Sequence, residues 1–513
     1  MLRQVMRRLT GLYRLPAHLA VVGGSASQSA RQVTAAMALG IALGLIVLVA
    51  GPMLALATVA GLILLAVTFT HPEVVILLVL CFATGLVPAS LNPHVSLLVG
   101  HFQISDLLLL WLLFVVAFRV FTDKSFRYVK TPLDLPLLLF YGAVLAGLAT
   151  AVLRFGVDFS DATYEARMLM YYLVFFAVTN LVRTRAQLVW LAHGVLAVGL
   201  LAAVMMIAQV ALGRSTALMA SWMLQGGDLV RVYFPGFTSV YVVLITLVSC
   251  MALCDHERRT VLRWLQVLVL AVALLTTLAR NLLVSLAAAG ALLVAILSEP
   301  ARSRFGRNLL GIAFVAIGLV AVLTLAGRAS ALVAYSGAFV ERLGRMVSGQ
   351  IVAPGENLVP RWAEVRFAWA QISNHPILGI GLKSPYRPPF YMGEPVGART
   401  FIHNAYLSLW LKTGLPGLVS FLWLSGMFLW RGFRHWRDTD DVFLRSVALG
   451  FTLAYFGMML SNWVTCSLVQ EGSLPIFGVV LGINEVIFRQ NGSSEGNKEG
   501  GATRGRQKTA ASA

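Results

Sequence analysis

A chain of 513 residues that is 58% hydrophobic and 12% charged carries more apolar surface than water tolerates, so its solvent is largely lipid. The formal charge of +18 would suit nucleic acid, yet the basic residues sit in short clusters between apolar runs, as in a multi-pass protein orienting in a bilayer. Nucleic acid is therefore set aside as a partner, and the lipid bilayer takes its place.

In chain order, residues 1–33 read as a cytoplasmic N-terminal segment, and the first apolar run starts too far in for a cleavable signal. About 14 runs of roughly 17–25 apolar residues follow, enough for about 14 transmembrane helices and an all-α fold. A first group falls at 34–50, 52–70, 73–91, 104–121, 134–153, 164–182, 187–212, 237–254, 262–279, 281–298 and 308–326. Residues 34–326 are thus expected to form a transmembrane bundle. Residues 327–402 form a large polar insert. A second group of spans, 404–430, 443–462 and 474–488, lies within a C-terminal transmembrane segment, 403–488. The tail, 489–513, is rich in Gly, Ser and Lys and reads as disordered.

The charges test this order. Arg119, Lys124, Arg127 and Lys130 follow the fourth run, Arg183 and Arg185 the sixth, and Arg431, Arg434 and Arg437 the twelfth. If the spans alternate, all these clusters share one side, the cytoplasm, with both termini. The insert then lies on the opposite, outer side. Cys81, Cys250, Cys254 and Cys466 have no ligand spacing and read as small core residues.

A structureless insert of that length is unusual, so it should be partly helical. Phe339, Leu343, Met346 and Val347 recur at helical spacing, which suggests a helix on the membrane surface. Trp362, Val365, Trp369 and Ile372 repeat similarly, until Pro376 stops the pattern. Where the chain re-enters an apolar helix stand His403-Asn404, nine further residues, then Gly414-Leu415-Pro416-Gly417. A histidine there meets a lipid-borne and an aqueous substrate together.

This pattern, with the preceding Asn374-His375-Pro376-Ile377-Leu378-Gly379-Ile380-Gly381, resembles the signature of the O-antigen ligase and O-antigen polymerase superfamily. Leu278-Ala279-Arg280-Asn281-Leu282 is similar to the family's arginine at the outer end of a helical hairpin, and Arg361 occupies the place of a further arginine. The resemblance implies a GT-C-like membrane glycosyltransferase. Such an enzyme moves a saccharide from an undecaprenyl-pyrophosphate carrier to a sugar hydroxyl at the periplasmic face. Polymerisation of exopolysaccharide or O-antigen repeat units is the preferred form, and ligation of finished glycan to lipid A-core the alternative. Other polysaccharide export components are further candidate partners.

That chemistry needs a base for the acceptor hydroxyl and cations for the departing diphosphate. The resemblance implies His403 as base and Arg280 and Arg361 as diphosphate ligands, since a planar guanidinium matches phosphate oxygens. Arg342, Arg345, Arg387 and Arg399 stand as substitutes within the insert, and Arg167 and Arg231 as secondary donor contacts. A plainer reading stays open for each. His403 can be an interfacial histidine bonded to a carbonyl, Arg280 a snorkelling helix end, and Asn404 either an orienting group or a helix cap. Tyr406 and Trp410 share a helix face and suit either sugar stacking or an interfacial aromatic belt. Tyr386-Arg387-Pro388-Pro389-Phe390-Tyr391 would make an aromatic and cationic sugar platform.

No phosphate-cradling loop of the ATPase kind occurs, and the outer loops lack paired acidic residues, so neither cofactor nor metal is expected. A flippase for lipid-linked glycans would call for repeat symmetry and mid-membrane charges, and a scaffold would not need the His403 motif.

Overall fold

The computed structural model describes residues 52–87, 92, 95–97, 100–212, 221–223, 230–232, 235–254, 260–277, 279–311, 337, 361–390, 392–469 and 471–490. The expected first span, the surface helix around Phe339, Arg342 and Arg345, most of 308–326 and the tail beyond Gln490 lie outside them. Arg489 and Gln490 continue the last helix instead of opening a disordered tail. The chain divides into two compact units, Met1–Thr70 and His71–Ala513. Of the first, α1 (Pro52–Thr70) is a uniformly apolar helix whose Thr68 and Thr70 hydroxyls donate to the carbonyls of Leu64 and Ala66.

The second unit is helical apart from two short antiparallel hairpins, β1 (Val95–Leu97) with β2 (Gly100–Phe102) and β3 (Ser221–Met223) with β4 (Val230–Val232). Its helices are α2 (Pro72–Ala83), α3 (Ile104–Thr122), α4 (Asp134–Phe155), α5 (Phe159–Leu169), α6 (Val174–Leu181) and α7 (Arg185–Leu212). Then follow α8 (Pro235–Cys254), α9 (Thr260–Thr276), α10 (Arg280–Ile296) and α11 (299–311). After the insert's α12 (Arg361–Asn374) come α13 (Ala405–His435), α14 (Val442–Ser461) and α15 (474–490). Among the described residues, five helices are long and apolar enough to cross a membrane: α3, α4, most of α7, α13 and α14. Phe114 of α3 and Leu145 and Leu153 of α4 stand exposed, as a lipid-facing surface requires.

Two expected spans differ. The run 73–91 stops at Ala83, because Gly85 takes a left-handed φ of 77° and Leu86 N–H donates to the Cys81 carbonyl, closing the helix end. The run 164–182 is not one helix. α5 begins earlier, at the Asp158 cap, and a 3₁₀ turn, Met170–Leu173, separates it from α6. The turn lets the neighbouring Tyr171 and Tyr172 both point inward, where their hydroxyls meet Asp106 and the Leu468 carbonyl at 2.6 and 3.0 Å.

Helices α4 and α13 form one of the two largest seams, beside that of α8 with α14, and there the rings of Phe140, Tyr172 and Phe421 meet at 5.8–6.4 Å. The basic clusters that the sequence spreads along the chain meet at one end of the bundle. Arg183 donates to the Arg127 carbonyl at 2.9 Å, Arg185 pairs with Asp441, Arg431 pairs with Glu485, and Arg489 caps α6 through the Thr179 and Val182 carbonyls. The N-terminus of α13, with His403 just before it, lies at the other end of that helix from Arg431 and Arg434.

Candidate functional site

The site grows from the place where the insert docks on α13. Pro416 has no N–H to continue the helix, and Gly414 takes φ 69°, ψ −176°, so the helix opens there. The freed groups find partners in the Pro376–Gly381 segment: Leu415 N–H donates to the Pro376 and Ile377 carbonyls at 3.1 Å, and Ile380 N–H donates to the Leu411 carbonyl at 2.7 Å. Trp410 Nε1 adds a bond to the Pro376 carbonyl at 2.9 Å. A Cβ on Gly414 would lie 1.9 Å from the Ile377 carbonyl oxygen, so both its dihedral angles and its surroundings require glycine. Gly414→Ala is expected to cost about 1–3 kcal/mol from the backbone alone and more from the clash. Thermal unfolding of the purified variant checks this, and an unchanged melting temperature would remove the docking role.

The docked insert brings α12 against the start of α13. Glu364 lies in the first turn of α12, on its protein-facing stripe with Ala368 and Ile372, and is almost fully buried. Its carboxylate accepts from His403 twice: the backbone N–H at 3.0 Å and the ring Nδ1 at 2.9 Å. The two donors hold the carboxylate fixed. With Nδ1–H bound to Glu364, Nε2 is left as the lone-pair nitrogen, and the ring is 37% exposed. The Phe401 ring meets the imidazole edge-on at 4.9 Å, so the ring is held from two sides.

Arg361 opens α12 one turn before Glu364 and donates to the Val464 carbonyl at 3.0 Å, in the loop that follows α14. The same loop receives Asn404, whose Nδ2 donates to the Trp463 carbonyl at 2.9 Å while its Oδ1 caps α13 through Leu407 N–H. The Ala405 N–H donates to the Asn462 and Thr465 carbonyls at 3.0 Å. Cys466 follows in this loop. Burial pushes its thiol up to about 12, with smaller influences from Lys412, Glu364, Glu165 and Arg361, so it stays a neutral packing group. Lys412 of α13 pairs with Glu165 of α5, whose other oxygen accepts from Lys383 N–H. Two partnered carboxylates, Glu165 paired with Lys412 and Glu364 bonded to His403, thus stand around the base of the insert.

The candidates divide accordingly. Arg361 and Asn404 meet at the 463–464 loop beside His403, and Glu364, which the sequence alone does not single out, is the partner of His403. Arg280 opens α10, which packs on α14 with the Ser285 carbonyl against Gly457, and Arg231 lies in β4 opposite Trp222; their side chains fall outside the described residues. Arg167 is buried and bonds Asp106 at 2.9 Å, within a network that includes Tyr171 and Ser105. Tyr406 is buried, its hydroxyl donating to the Met459 carbonyl, and Trp410 is half-buried and meets Trp369 edge-on at 5.6 Å. Of the platform around Arg387, Tyr386 and Arg387 are buried, while Pro388, Pro389 and Phe390 stand exposed. Arg387 grips Glu394 with two bonds of 2.7 and 2.8 Å and covers the Phe390 ring, and this contact holds the Glu394 carboxyl down to about 2. On α12 the apolar repeat divides between two faces: Trp362, Val365 and Trp369 face outward, and Ile372 is buried.

Residues 265–422 match the family model described as O-Antigen ligase (Wzy_C), a stretch that contains the docked segment, Glu364, His403 and Gly414. Over that stretch the chain is similar to the O-antigen ligase/polymerase superfamily, a likeness that suggests glycan transfer in a membrane. No curated protein matches the chain.

Proposed function

We propose that this protein transfers a saccharide from an undecaprenyl-pyrophosphate carrier to a sugar hydroxyl at the periplasmic face of the inner membrane. The observation that carries the reading is the clasp of Glu364 on His403. It leaves Nε2 as an acceptor beside a helix that begins with Arg361. In the reaction Nε2 takes the proton of the acceptor hydroxyl as its oxygen attacks the anomeric carbon. The bond from that carbon to the phosphate oxygen breaks, and polyprenyl diphosphate leaves with the electron pair. Arg361 and Arg280 hold the diphosphate and stabilise its growing charge, in place of a metal.

The lipid-borne donor is supported by the outward stripe of Trp362, Val365 and Trp369, continued by Ile377, Leu378, Leu415 and Val419. An exposed apolar surface beside a polar site suits a substrate that arrives along the bilayer. The basic end of the bundle supports a cytoplasmic placing of Arg183, Arg431 and Arg489, with His403 on the opposite side. Joining of exopolysaccharide or O-antigen repeat units is the preferred form; the family description favours ligation to lipid A-core as the second.

An assay of purified protein with a synthetic polyprenyl-diphosphate oligosaccharide separates these. Polymer growth without added acceptor marks a polymerase, transfer only onto a lipid A-core acceptor a ligase, and no transfer with either overturns the enzyme reading. Chelator is expected to leave the rate unchanged. Arg361→Lys is expected to lower turnover by roughly 10-fold or more, because an ammonium cannot make the two-pronged phosphate contact. Full activity of that variant would demote Arg361 to a structural anchor for the 464 loop.

A further inference from the structure

At the end of the bundle away from His403, a cavity of about 220 Å³ opens between the turn before α4 and the ends of α6 and α15. Its charged lining is Lys130, Arg431, Arg489 and Glu485, and Phe488 adds an apolar wall. Glu485 is already matched: Arg431 Nε and Nη2 donate to its two oxygens at 2.7 and 3.0 Å. Asp134, next to this turn, is likewise occupied, accepting from Thr131 and from Tyr128. Arg489 is held in place by the Thr179 and Val182 carbonyls. Three cations against one lining carboxylate leave the cavity positive, and the Lys130 side chain is exposed at its edge. The space is many times the roughly 10–15 Å³ that one water needs, so it admits a polar group of several atoms.

A second feature selects the ligand. Directly beyond the turn, the start of α4 exposes Leu135, Leu138 and Leu139 along one face. A free anion has no use for that face, whereas acyl chains would lie along it. We infer that the cavity binds the phosphate head group of an anionic phospholipid, with the chains against this leucine face of α4. The charge complement is that of the basic inter-helix pockets that select anionic lipids from the cytoplasmic leaflet. The site shares no residue with the His403 region.

The test uses the purified full-length protein in detergent, titrated with short-chain phosphatidylglycerol, short-chain phosphatidylethanolamine or inorganic phosphate, with thermal unfolding as the readout. Phosphatidylglycerol is expected to raise the unfolding temperature, and the other two to leave it unchanged. Lys130→Glu is expected to weaken the apparent affinity for phosphatidylglycerol by about tenfold, and Lys130→Gln by less. Lys130 has an exposed side chain, so both lipid-free variants should unfold like the wild type; the neutral variant carries the comparison if the reversed charge destabilises. Equal stabilisation by both lipids, a response indifferent to residue 130, or one that inorganic phosphate reproduces in full overturns the inference.

Discussion

Replacing His403 with alanine is expected to lower glycan transfer by roughly 10²- to 10⁴-fold, the usual worth of a positioned base. The protein should still insert and fold. Glu364 would lose one of its partners but keep the residue 403 backbone N–H, which the substitution does not touch. The measurement is turnover of a polyprenyl-diphosphate oligosaccharide by the purified variant, alongside its thermal unfolding. Wild-type turnover in a folded variant would remove the base from the mechanism and with it the proposed chemistry.

Glu364→Gln is expected to be nearly as damaging, by roughly 10²- to 10⁴-fold, though it changes one oxygen for one nitrogen and preserves shape. The reason is the tautomer. The His403 backbone N–H needs an acceptor and would claim the amide oxygen of the glutamine, which turns the amide nitrogen toward the ring. That nitrogen then stands 2.9 Å from Nδ1, where its N–H draws Nδ1 to accept in competition with the amide oxygen, itself 2.9 Å away. The ring shifts toward the tautomer with its proton on Nε2 and no lone pair there. A positioning role predicts that kcat falls while KM for the donor stays about the same; a structural role would move both together with the unfolding temperature. Unchanged kcat in Glu364→Gln would leave the contact as packing.

Much of the helical architecture is legible in the sequence because run length and apolarity decide whether a segment can cross lipid. The expected spans at 104–121, 134–153, 187–212, 404–430 and 443–462 coincide with α3, α4, α7, α13 and α14 to within a few residues at most boundaries. The sequence misleads where polar residues are satisfied by partners far away in the chain. Arg167 and Glu165 look like the start of an ordinary span until Asp106 and Lys412 are seen beside them. The His403 motif points to the place where the insert docks, and its glycines occupy packing and kink positions.

Glu364 is hard to see for a related reason. It lies 39 residues before His403, in a helix whose aromatic residues suggest the opposite buried face. Its signal is present nonetheless: an acidic residue in register with Ala368 and Ile372 at four-residue steps is a carboxylate on a buried stripe, and such a group needs a partner. Arg387 misleads in the other direction, because its match, Glu394, stands only seven residues on and takes both prongs of the guanidinium.

The opened turn at Gly414 gives the nine residues between Asn404 and Gly414 the character of a ruler. One end is nailed by the asparagine to the 463 loop, the other by the interrupted helix to the strap of insert that crosses it. With about 1.5 Å of rise and 100° of rotation per residue, adding or deleting a single position would swing the imidazole about a quarter of the way round the helix. Length between those two marks, more than the identity of most residues within it, therefore dictates where the imidazole can point.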